Sequence, residues 1–343
     1  MDRHELRRLD YSLSDDHIDL QSAYRQFFTT HCPIETVWAA EASGFDKNLW
    51  ERLCATGATT MAVPEAAGGD GATLVDLSLV AEELGRMLAP VPWIDHVCAA
   101  RLLAQFGGVD SEVLGGRQIV ALDVQATSGP RLVGAAAVAD LVVTLHGDEL
   151  VLLRFGSRPA RVDNIGRLPM AWVDPADADS RVVLAGGPDA VQAYRRAVDE
   201  WRLLTAAALV GLVEQTMTIA AEFAKTRYTL GVPIATLQAI AHPLANVAIA
   251  VQGGRNLVRR AAWFCDNEPA ERPELAPAAF VFMAEEAARA ATMAVHVQGG
   301  LGVSAEAASA AYLLRARGWP LAGGDPGVAA KEVADIVSAR ETR

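Results

Sequence analysis

The sequence predicts an α+β fold in three parts: an N-terminal helical domain, a small middle β domain and a C-terminal four-helix bundle. Three observations lead to this prediction. Apolar residues at helical spacing fill most of the first part, short apolar runs typical of strands follow, and long Ala/Leu-rich runs come last. The expected boundaries are 1–107 for the helical domain, 108–186 for the β domain and 187–343 for the bundle.

Composition and charge argue against several classes of protein. The 343 residues carry a net charge of −12 and the basic residues form no cluster, so a nucleic acid is not an expected partner. The 4 cysteines are scattered without metal-ligand spacing, which predicts free thiols and no metal site. No secretory signal and no uncharged apolar run of about 18 residues is found. We therefore expect a cytoplasmic protein that does not enter a membrane.

The N-terminal domain is predicted from three helical runs and one loop. Ser14 is suited to cap the first run, and Gly57 to end the second, because glycine accepts the left-handed conformation that often follows a helix. A loop is predicted over 63–71, where one Pro and three Gly occur. The helices are expected over 14–28, 46–56 and 74–88.

The middle domain is predicted from short strand patterns. A hairpin is expected around a turn at Gly147 and Asp148, because apolar runs flank these two residues on both sides. The strands are expected over 118–125, 140–145, 149–155 and 181–184.

The bundle is predicted from four helical runs. Gly231 and Pro233 close the first run, Thr236 is expected to cap the second, and a loop is expected over 267–277. The apolar face of the second helix recurs at 3.6-residue spacing and comprises Leu237, Ile240, Ala241, Leu244, Val247, Ala248 and Val251. The first, third and fourth helices are expected over 190–228, 278–297 and 305–315.

Two polar motifs in the bundle are candidates for binding chemistry, and the first surrounds the end of the long helix. Arg227 stands there, where a cation is favourable beside the free carbonyl groups, so it can also be a plain surface residue. Gln238, His242 and Asn246 lie four residues apart, which places them in one polar stripe. Such a stripe either faces solvent or contacts a polar, anionic ligand.

The second motif is a glycine cluster that follows a helix and comprises Gln298, Gly299, Gly300, Leu301 and Gly302. A dinucleotide-binding glycine motif needs a preceding strand, so that interpretation fits poorly. Three glycines in four positions predict bare backbone that faces a ligand, although close packing alone also explains them.

Together these motifs resemble the acyl-CoA dehydrogenase family. One family pattern joins an Arg, an aromatic-Gly pair, Pro-Ile and a Gln with a following His or Asp; it is similar to Arg227, Leu230, Gly231, Pro233, Ile234, Gln238 and His242. The other pattern, Gln-x-x-Gly-Gly-x-Gly, is similar to residues 296–302, with His296 in the usual Gln position. Residues 45–50, 63–69 and 82–86 resemble the family's N-terminal domain, so the resemblance covers most of the chain.

The resemblance implies a role in holding FAD. In the family these elements reach across a subunit interface to the adenosine and pyrophosphate half of an FAD that is seated mainly in the neighbouring subunit. Leu230 stands where an aromatic residue is usual, so a stacking contact is not implied there. The implied cofactor contacts come from Arg227, Gln238, His242, Gln298, Gly299 and Gly302.

The catalytic carboxylate of the family is missing from its usual positions. Desaturation of an acyl-CoA thioester needs a positioned Glu or Asp that removes the α-proton. Most members have a Glu where this chain has residues 322–325 without one, and a minority have it where this chain has Trp201. Residues 121–125 and 129–139 of the middle domain also show neither the Thr/Ser-rich acidic loop nor the Trp-Ile/Ser-x-Asn/Thr strand that the family usually carries. No catalytic residue is therefore assigned.

Two functions and one simpler alternative follow. The first is a subunit of a heteromeric FAD-dependent acyl-CoA dehydrogenase, in which a homologous catalytic subunit supplies the Glu. Such a chain is similar to the smaller subunits of heterotetrameric dehydrogenases that shorten steroid side chains, with an acyl-CoA substrate and electron-transfer flavoprotein as further partners. The second is a self-sufficient homomeric dehydrogenase that uses Glu200 or Asp325 as its base. The simpler alternative is a scaffold subunit without flavin.

Overall fold

Helices, short strands and long helices follow one another in the computed structural model, which describes residues 10–126 and 128–341. One buried apolar core runs through all three groups of elements. The α+β fold class and its order of a helical, a β and a second helical part are confirmed, whereas the domain boundaries at 107 and 187 stay predictions.

The N-terminal part is helical, and the predicted cap residues lie where its first helix begins and its third helix ends. The Ser14 hydroxyl accepts a hydrogen bond from the His17 amide at 3.3 Å, and Gly57 follows the third helix at φ +85°. The predicted loop over 63–71 contains only a single 3-10 turn, Glu65–Ala67. The helices are α1 (Asp15–His31), α2 (Ile34–Ala39), α3 (Lys47–Ala55), α4 (Leu74–Arg86), α5 (Trp93–Ala104) and α6 (Ser111–Leu114).

The middle part contains short strands in two sheets. The strands are β1 (Val120–Leu122), β2 (Arg131–Val133), β3 (Leu141–His146), β4 (Glu149–Arg154), β5 (Ala171–Val173) and β6 (Ser180–Gly186). One sheet has the order β1-β3-β4-β6, with β1 parallel to β3 and the other pairs antiparallel, and β2 pairs with β5. The predicted hairpin is confirmed, since His146 pairs with Glu149 and Gly147 takes φ +66° in the turn.

The C-terminal part is a bundle built around one very long helix. Its elements are α7 (Pro188–Thr226), β7 (Tyr228–Thr229), β8 (Val232–Pro233), α8 (Gln238–Asn267), α9 (Leu275–Gln298), α10 (Ala308–Gly318) and α11 (Pro326–Glu341). By length and composition α7 could cross a membrane, but 72% of its most apolar stretch is buried inside the protein, as in the core helix of a globular fold. α11 is an additional helix that the sequence patterns do not predict.

Several predicted helix boundaries in the bundle are wrong, and the fourth helix, expected over 305–315, is found at Ala308–Gly318. Thr236 does not cap α8, because it lies in the 3-10 turn Ile234–Thr236, where its hydroxyl donates to Pro233 O at 2.8 Å. The loop before α9 is shorter than expected, because Leu275 begins the helix and Pro277 lies in its first turn. Proline is tolerated there because the first turn of a helix needs no intrahelical amide donor.

The predicted apolar face of α8 is correct except at one position. Val247 and Val251 are buried, and the other members are half-buried except Ala248, which is exposed. Ala250 and Gly254 are buried, so the buried face lies slightly to one side of the predicted one. Gln238, His242 and Asn246 are exposed, as the polar stripe requires.

The helices α4 and α7 cross with their backbones in contact. A Cβ atom on Gly85 would lie 1.9 Å from Ala208 O, and one on Gly211 would lie 1.8 Å from Glu82 O. Both positions therefore accept only glycine unless the helices move apart. The crossing fixes the N-terminal helices against the bundle at one point.

A cluster of charged side chains surrounds this crossing. Arg86 pairs with Glu83 at 2.8 Å and also with Glu214, while Arg255 pairs with Glu82 at 2.6 Å and with Glu214 at 2.8 Å. Burial opposes ionisation of Glu214, but the two guanidinium groups hold its pKa below the usual value. The cluster joins α4, α7 and α8, and loss of one partner would leave a buried charge unpaired.

His96 is a buried histidine that joins α5 to β1. Its Nδ1 accepts a hydrogen bond from the Val120 amide at 3.2 Å, and its ring lies edge-on to Trp50 with 5.3 Å between ring centroids. Burial lowers the pKa of His96 from 6.5 to about 4, so the ring is neutral in the folded protein near neutral pH.

We predict that His96 makes the protein sensitive to mild acid. Between pH 6.5 and about 4 the unfolded chain binds a proton at this ring and the folded protein does not, so the free energy of unfolding falls as the pH falls. The full loss is up to about 3 kcal/mol. His96→Asn keeps an acceptor for the Val120 amide and is expected to reduce this pH-dependent loss of the free energy of unfolding. Urea unfolding at pH values from 7 to 4 measures the effect.

The control for this experiment is His146→Asn, because His146 is exposed on the β3–β4 hairpin. Burial raises the pKa of Asp95 to about 7 and that of Asp199 to about 6, and protonation of these carboxyl groups stabilises the fold as the pH falls. The pH dependence of the free energy of unfolding in His96→Asn must therefore be compared with that of the parent protein and of His146→Asn, and not with a pH-independent value. An identical pH slope in the parent protein and His96→Asn would contradict the prediction.

Candidate functional site

Four pieces of chain meet at one end of the bundle: the end of α7, the β7–β8 hairpin, the start of α8 and the loop after α9. A small apolar cluster separate from the main core holds them together. Its buried members come from α7 and α9, namely Ala220, Ala224, Ala294 and Val297. Ile234, Ile240 and Leu244 pack against them and attach the hairpin and α8. The polar motifs predicted from the sequence therefore lie close to one another.

The β7–β8 hairpin projects from this end with a two-residue turn. Leu230 at φ +48° and Gly231 at φ +80° are both left-handed, as a tight hairpin of this kind requires. For a leucine this conformation costs about 1 kcal/mol. The Leu230 side chain is also 97% exposed, so it contributes nothing to the stability of the isolated chain.

Arg227 is the residue at which α7 ends. Its amide donates to Phe223 O at 2.9 Å, and its carbonyl accepts from the Ile234 amide at 2.8 Å, so the backbone on both sides is fixed. The side chain is exposed. Within residues 10–126 and 128–341, no carboxylate pairs with its guanidinium group, which leaves the cation free for an anionic ligand.

The glycine cluster after α9 has two open members and one packed member. A Cβ on Gly299 or Gly300 would meet no atom within 4 Å, and Gly299 takes φ +61°. Gly302 is buried, and a Cβ there would lie 2.7 Å from Val295 O. Close packing therefore explains the glycine at 302, which was the alternative explanation of the cluster, and its contact with a cofactor stays a prediction.

Gln298 has one satisfied and one unsatisfied polar atom. Its Oε1 accepts a hydrogen bond from the Ser309 hydroxyl at 3.2 Å. Its Nε2 is buried and has no hydrogen-bond partner among the residues that the structure describes. A buried amide donor without a partner is uncommon and is consistent with a ligand that supplies the acceptor.

An open cleft brings three of the six predicted contact residues together. Arg227, Gln298 and Gly299 line it, and its remaining walls are formed by Phe223, Ile234, His296, Val297, Gly300 and Leu301. Gln238 and His242 lie outside this lining on the exposed face of α8. A planar cation, an amide donor and bare backbone suit the phosphates and ribose of a nucleotide, so the residues present fit this half of FAD.

Trp201 and the stretch 322–325, where the resemblance places the family's base, lie against each other in this chain. Trp201 is buried, with its ring centroid 5.9 Å from that of Phe280. A Cβ on Gly323 would lie 2.6 Å from Cζ3 of Trp201. The indole therefore fills the space that a side chain at 323 needs, and neither position offers a carboxylate.

The two neighbouring carboxylates have other contacts. Glu200 pairs with Arg101 at 2.9 Å, and Arg101 also donates to Ala62 O, so Glu200 ties α7 to the N-terminal helices. Asp325 is exposed before α11 and accepts a hydrogen bond from the Gly327 amide at 2.9 Å. The geometry does not favour either of them as a base.

Sequence profiles and relatives identify the family. The profile of the acyl-CoA dehydrogenase N-terminal domain matches residues 14–110, and that of the C-terminal domain matches residues 191–337. The chain is 32% identical over 326 residues to acyl-CoA dehydrogenase FadE27 of Mycobacterium tuberculosis, with 80% of this chain and 83% of the relative covered. The chain belongs to the acyl-CoA dehydrogenase family.

Another relative and two solved structures add detail. Acyl-CoA dehydrogenase IpdE2 of Mycobacterium tuberculosis is 28% identical over 311 residues, covering 87% of this chain and 90% of the relative. The ChsE4–ChsE5 complex of the same species has a TM-score of 0.84 and 25% identity, covering 96% of this chain and 99% of that chain. The steroid ACAD Tcur3481–Tcur3483 has a TM-score of 0.85 and 24% identity over 97% of this chain and 100% of that chain, which shows the fold alone.

Family membership fixes the chemistry to which this site belongs. The protein is an acyl-CoA dehydrogenase by family, and FAD is the cofactor of that family. Two features outside the cleft at Arg227 were missed by the motifs. The buried carboxyl of Asp95 gave no signal because its surroundings come from distant parts of the chain, and the contact of Trp201 with Gly323 joins residues far apart in sequence.

We predict that Trp201 and Gly323 are energetically coupled. Gly323→Ala is expected to lower the free energy of unfolding by about 1–3 kcal/mol, because its Cβ meets the indole at 2.6 Å. Trp201→Phe removes the ring that it meets, so the double variant should be more stable than the sum of the single effects predicts. Urea unfolding of all four proteins measures the coupling.

The control is Gly253→Ala on α8, whose Cβ would have its closest neighbour at 3.9 Å. This substitution should not destabilise the protein, since alanine favours a helix over glycine. Simple additivity of Gly323→Ala and Trp201→Phe would show that the indole does not fill the space at position 323.

Proposed function

We propose that this chain is the non-catalytic subunit of a heteromeric FAD-dependent acyl-CoA dehydrogenase. A homologous subunit with an intact Glu removes the α-proton of the acyl-CoA thioester. This chain contributes the open cleft at Arg227 to the adenosine and pyrophosphate half of the FAD that the partner seats. When bound, FAD would supply the acceptor for the hydride that leaves the β-carbon of the thioester.

The observation that carries this proposal is an exposed cleft suited to a nucleotide in a chain whose residues 201 and 322–324, where the resemblance places the family's base, carry no carboxylate. Trp201 fills the space beside Gly323, whereas the cleft has the exposed guanidinium group of Arg227 and the buried Gln298 Nε2, which has no partner among the described residues. A buried donor without a partner is costly, so Gln298 favours a chain that still contacts a ligand at the cleft.

The length of α7 supports an interface role for the cleft. Trp201 and Arg227 lie on the same continuous helix or its cap, 26 residues apart by their numbers. At 1.5 Å per residue this separation is about 39 Å. One cofactor molecule does not reach both places, so the cleft serves a flavin other than one seated beside Trp201 of the same chain.

Each residue of the cleft has a defined task in the proposed complex. The planar guanidinium group of Arg227 binds two pyrophosphate oxygens at once. Gln298 donates from Nε2, and the bare backbone at Gly299 and Gly300 lets the nucleotide approach closely. Gln238 and His242 extend the polar surface along α8 toward the same ligand.

The proposed substrate is the CoA ester of a steroid side chain. The chain resembles the ChsE4–ChsE5 complex over nearly its whole length, and a steroid ACAD shares its fold. An electron-transfer flavoprotein is the proposed electron acceptor, and the cytoplasm is the proposed location.

The alternative of a self-sufficient homomer has less support. It needs Glu200 or Asp325 to act as a base, but Glu200 is held by Arg101 and Asp325 points to the start of α11. The scaffold alternative leaves the unpaired donors of the cleft unexplained.

Co-expression tests the proposal directly. We expect the purified chain to be colourless and inactive alone, and to form a yellow, active complex with a longer homologue that carries the family Glu. Glu200→Gln and Asp325→Asn in this chain should leave the turnover number of the complex unchanged. Flavin retention and thioester desaturation by the chain alone would sink the proposal.

Arg227 tests the cleft itself. We predict that Arg227→Ala weakens FAD binding in the assembled complex by about 1.5–3 kcal/mol, because one charge-assisted contact is lost. Arg227→Lys keeps the charge without the planar fork and should give an intermediate loss. The measurement is the dissociation constant of FAD by fluorescence titration.

The control for this measurement is Arg317→Ala, since Arg317 is also exposed on the bundle and its guanidinium group donates to the Thr292 hydroxyl, away from the cleft at Arg227. It should leave FAD binding unchanged. Equal FAD affinity in the parent complex and in Arg227→Ala would remove Arg227 from the cofactor site.

A further inference from the structure

A small cavity lies where the residues before α1 meet the C-terminal half of α8. Its volume is about 100 Å³, several times the ~10–15 Å³ that one water molecule needs, so it has room for a small ligand. None of its lining residues also lines the cleft at Arg227. Its apolar walls include Tyr11, Leu13 and Val75, and α8 contributes Arg259, Arg260 and Trp263.

Arg259 and Arg260 bring two cations to this cavity. The Nε atoms of both are buried and have no hydrogen-bond partner among the residues that the structure describes. Arg259 Nη1 donates to Tyr11 O at 3.4 Å, and the Arg260 guanidinium carbon lies 5.9 Å from the centroid of the Phe264 ring. Within the same described residues, neither guanidinium group forms an ion pair with a carboxylate.

This arrangement differs from that of other buried or half-buried guanidinium groups in the protein. Five of them pair with a carboxylate, namely Arg86, Arg101, Arg202, Arg255 and Arg315. Burial also lowers the pKa of Arg259, because a cation that is partly removed from water loses hydration. An anionic ligand at the cavity would offset this loss.

The carboxylates around the cavity have other contacts. Glu82 attracts Arg259 but pairs with Arg255 at 2.6 Å. Asp76 lies 3.4 Å from Nε2 of His17, which also lines the cavity. Asp10 lines the cavity as well, but it is exposed and its Oδ1 accepts a backbone amide at 3.0 Å. The two guanidinium groups therefore face one exposed carboxylate in this lining.

We propose that this cavity binds a small phosphate monoester, whose phosphate contacts Arg259 and Arg260 and whose apolar body lies against Tyr11 and Trp263. A phosphate dianion matches two cations in charge and offers three acceptor oxygens to two planar donor groups, whereas a carboxylate matches only one of them. Arg259 and Arg260 lie four and three residues before Trp263, so the indole is a neighbour of both on the surface of α8.

The proposed site involves neither FAD nor a partner subunit. Its lining residues belong to the N-terminal segment, α1, α4 and α8 of one chain, so the isolated chain contains the whole site. The proposal therefore stands or falls independently of the proposed function.

Three anions test the site. Phenyl phosphate combines a dianion with an apolar ring, benzoate has the ring with a single charge, and inorganic phosphate has the charge without the ring. At pH 8 a phosphate monoester is mainly dianionic, because its second pKa is about 6. Calorimetric titration of the full chain in a phosphate-free buffer should give an affinity for phenyl phosphate at least about tenfold higher than for either of the other anions.

Substitutions assign the binding to this cavity. Arg259→Gln and Arg260→Gln should each weaken phenyl phosphate binding at least about tenfold, since one charge-assisted contact is lost. Arg227→Gln is the matched control, because it removes an exposed cation from the separate cleft, and it should leave the affinity for phenyl phosphate unchanged. If thermal melting shows that Arg260→Gln does not fold, Arg260→Lys takes its place. Lysine keeps the charge without the planar donor group and should give a smaller but measurable loss.

The outcomes that would overturn the proposal are distinct. Equal affinity for phenyl phosphate and benzoate, or no binding of phenyl phosphate, would show that two cations do not select a dianion here. Equal affinity for phenyl phosphate and inorganic phosphate would remove the apolar body from the ligand. Binding that survives both Arg259→Gln and Arg260→Gln but is lost in Arg227→Gln would assign the anion to the cleft at Arg227 instead.

Discussion

The backbone contact between α4 and α7 at Gly85 and Gly211 is the constraint on which the rest of the structure depends. Two helices can approach this closely only where neither has a side chain. The contact fixes the position of α7 along its own axis relative to the N-terminal helices. Because α7 is one continuous helix, it also fixes where Trp201, within its first half, and Arg227, at its C-cap, stand relative to each other.

The charged cluster makes this close crossing specific. Glu82 and Glu83 are buried in α4, and they require Arg86 and Arg255 to remain near them. A buried ion pair adds little net stability, but a slipped crossing would strand several charges in an apolar environment. Packing therefore brings α4 and α7 together, and the ion pairs disfavour crossings in which one helix is shifted along the other.

The sequence predicts local features well and distant contacts poorly. The Ser14 cap and the hairpin turn at Gly147 were predictable because each depends on neighbouring residues alone. Thr236 was misassigned because its hydroxyl bonds to a 3-10 turn that no pattern reveals. The resemblance named six contact residues, and three of them, Arg227, Gln298 and Gly299, line the open cleft. The packing role of Gly302 was not predictable, because it depends on Val295, seven residues earlier on α9. Asp95 was missed because its cavity is assembled from all three parts of the chain.

The contact between Trp201 and Gly323 has an evolutionary consequence. A Glu at position 323 would collide with the indole, so its gain must wait for a smaller residue at 201. A Glu at position 201 would instead place a second carboxyl beside Asp95, and two like charges in one apolar chamber resist ionising together. Neither position at which the resemblance places the family's base therefore accepts a Glu without a further change nearby. In the proposed heteromer, this contact would keep the chain dependent on the carboxylate of the partner subunit.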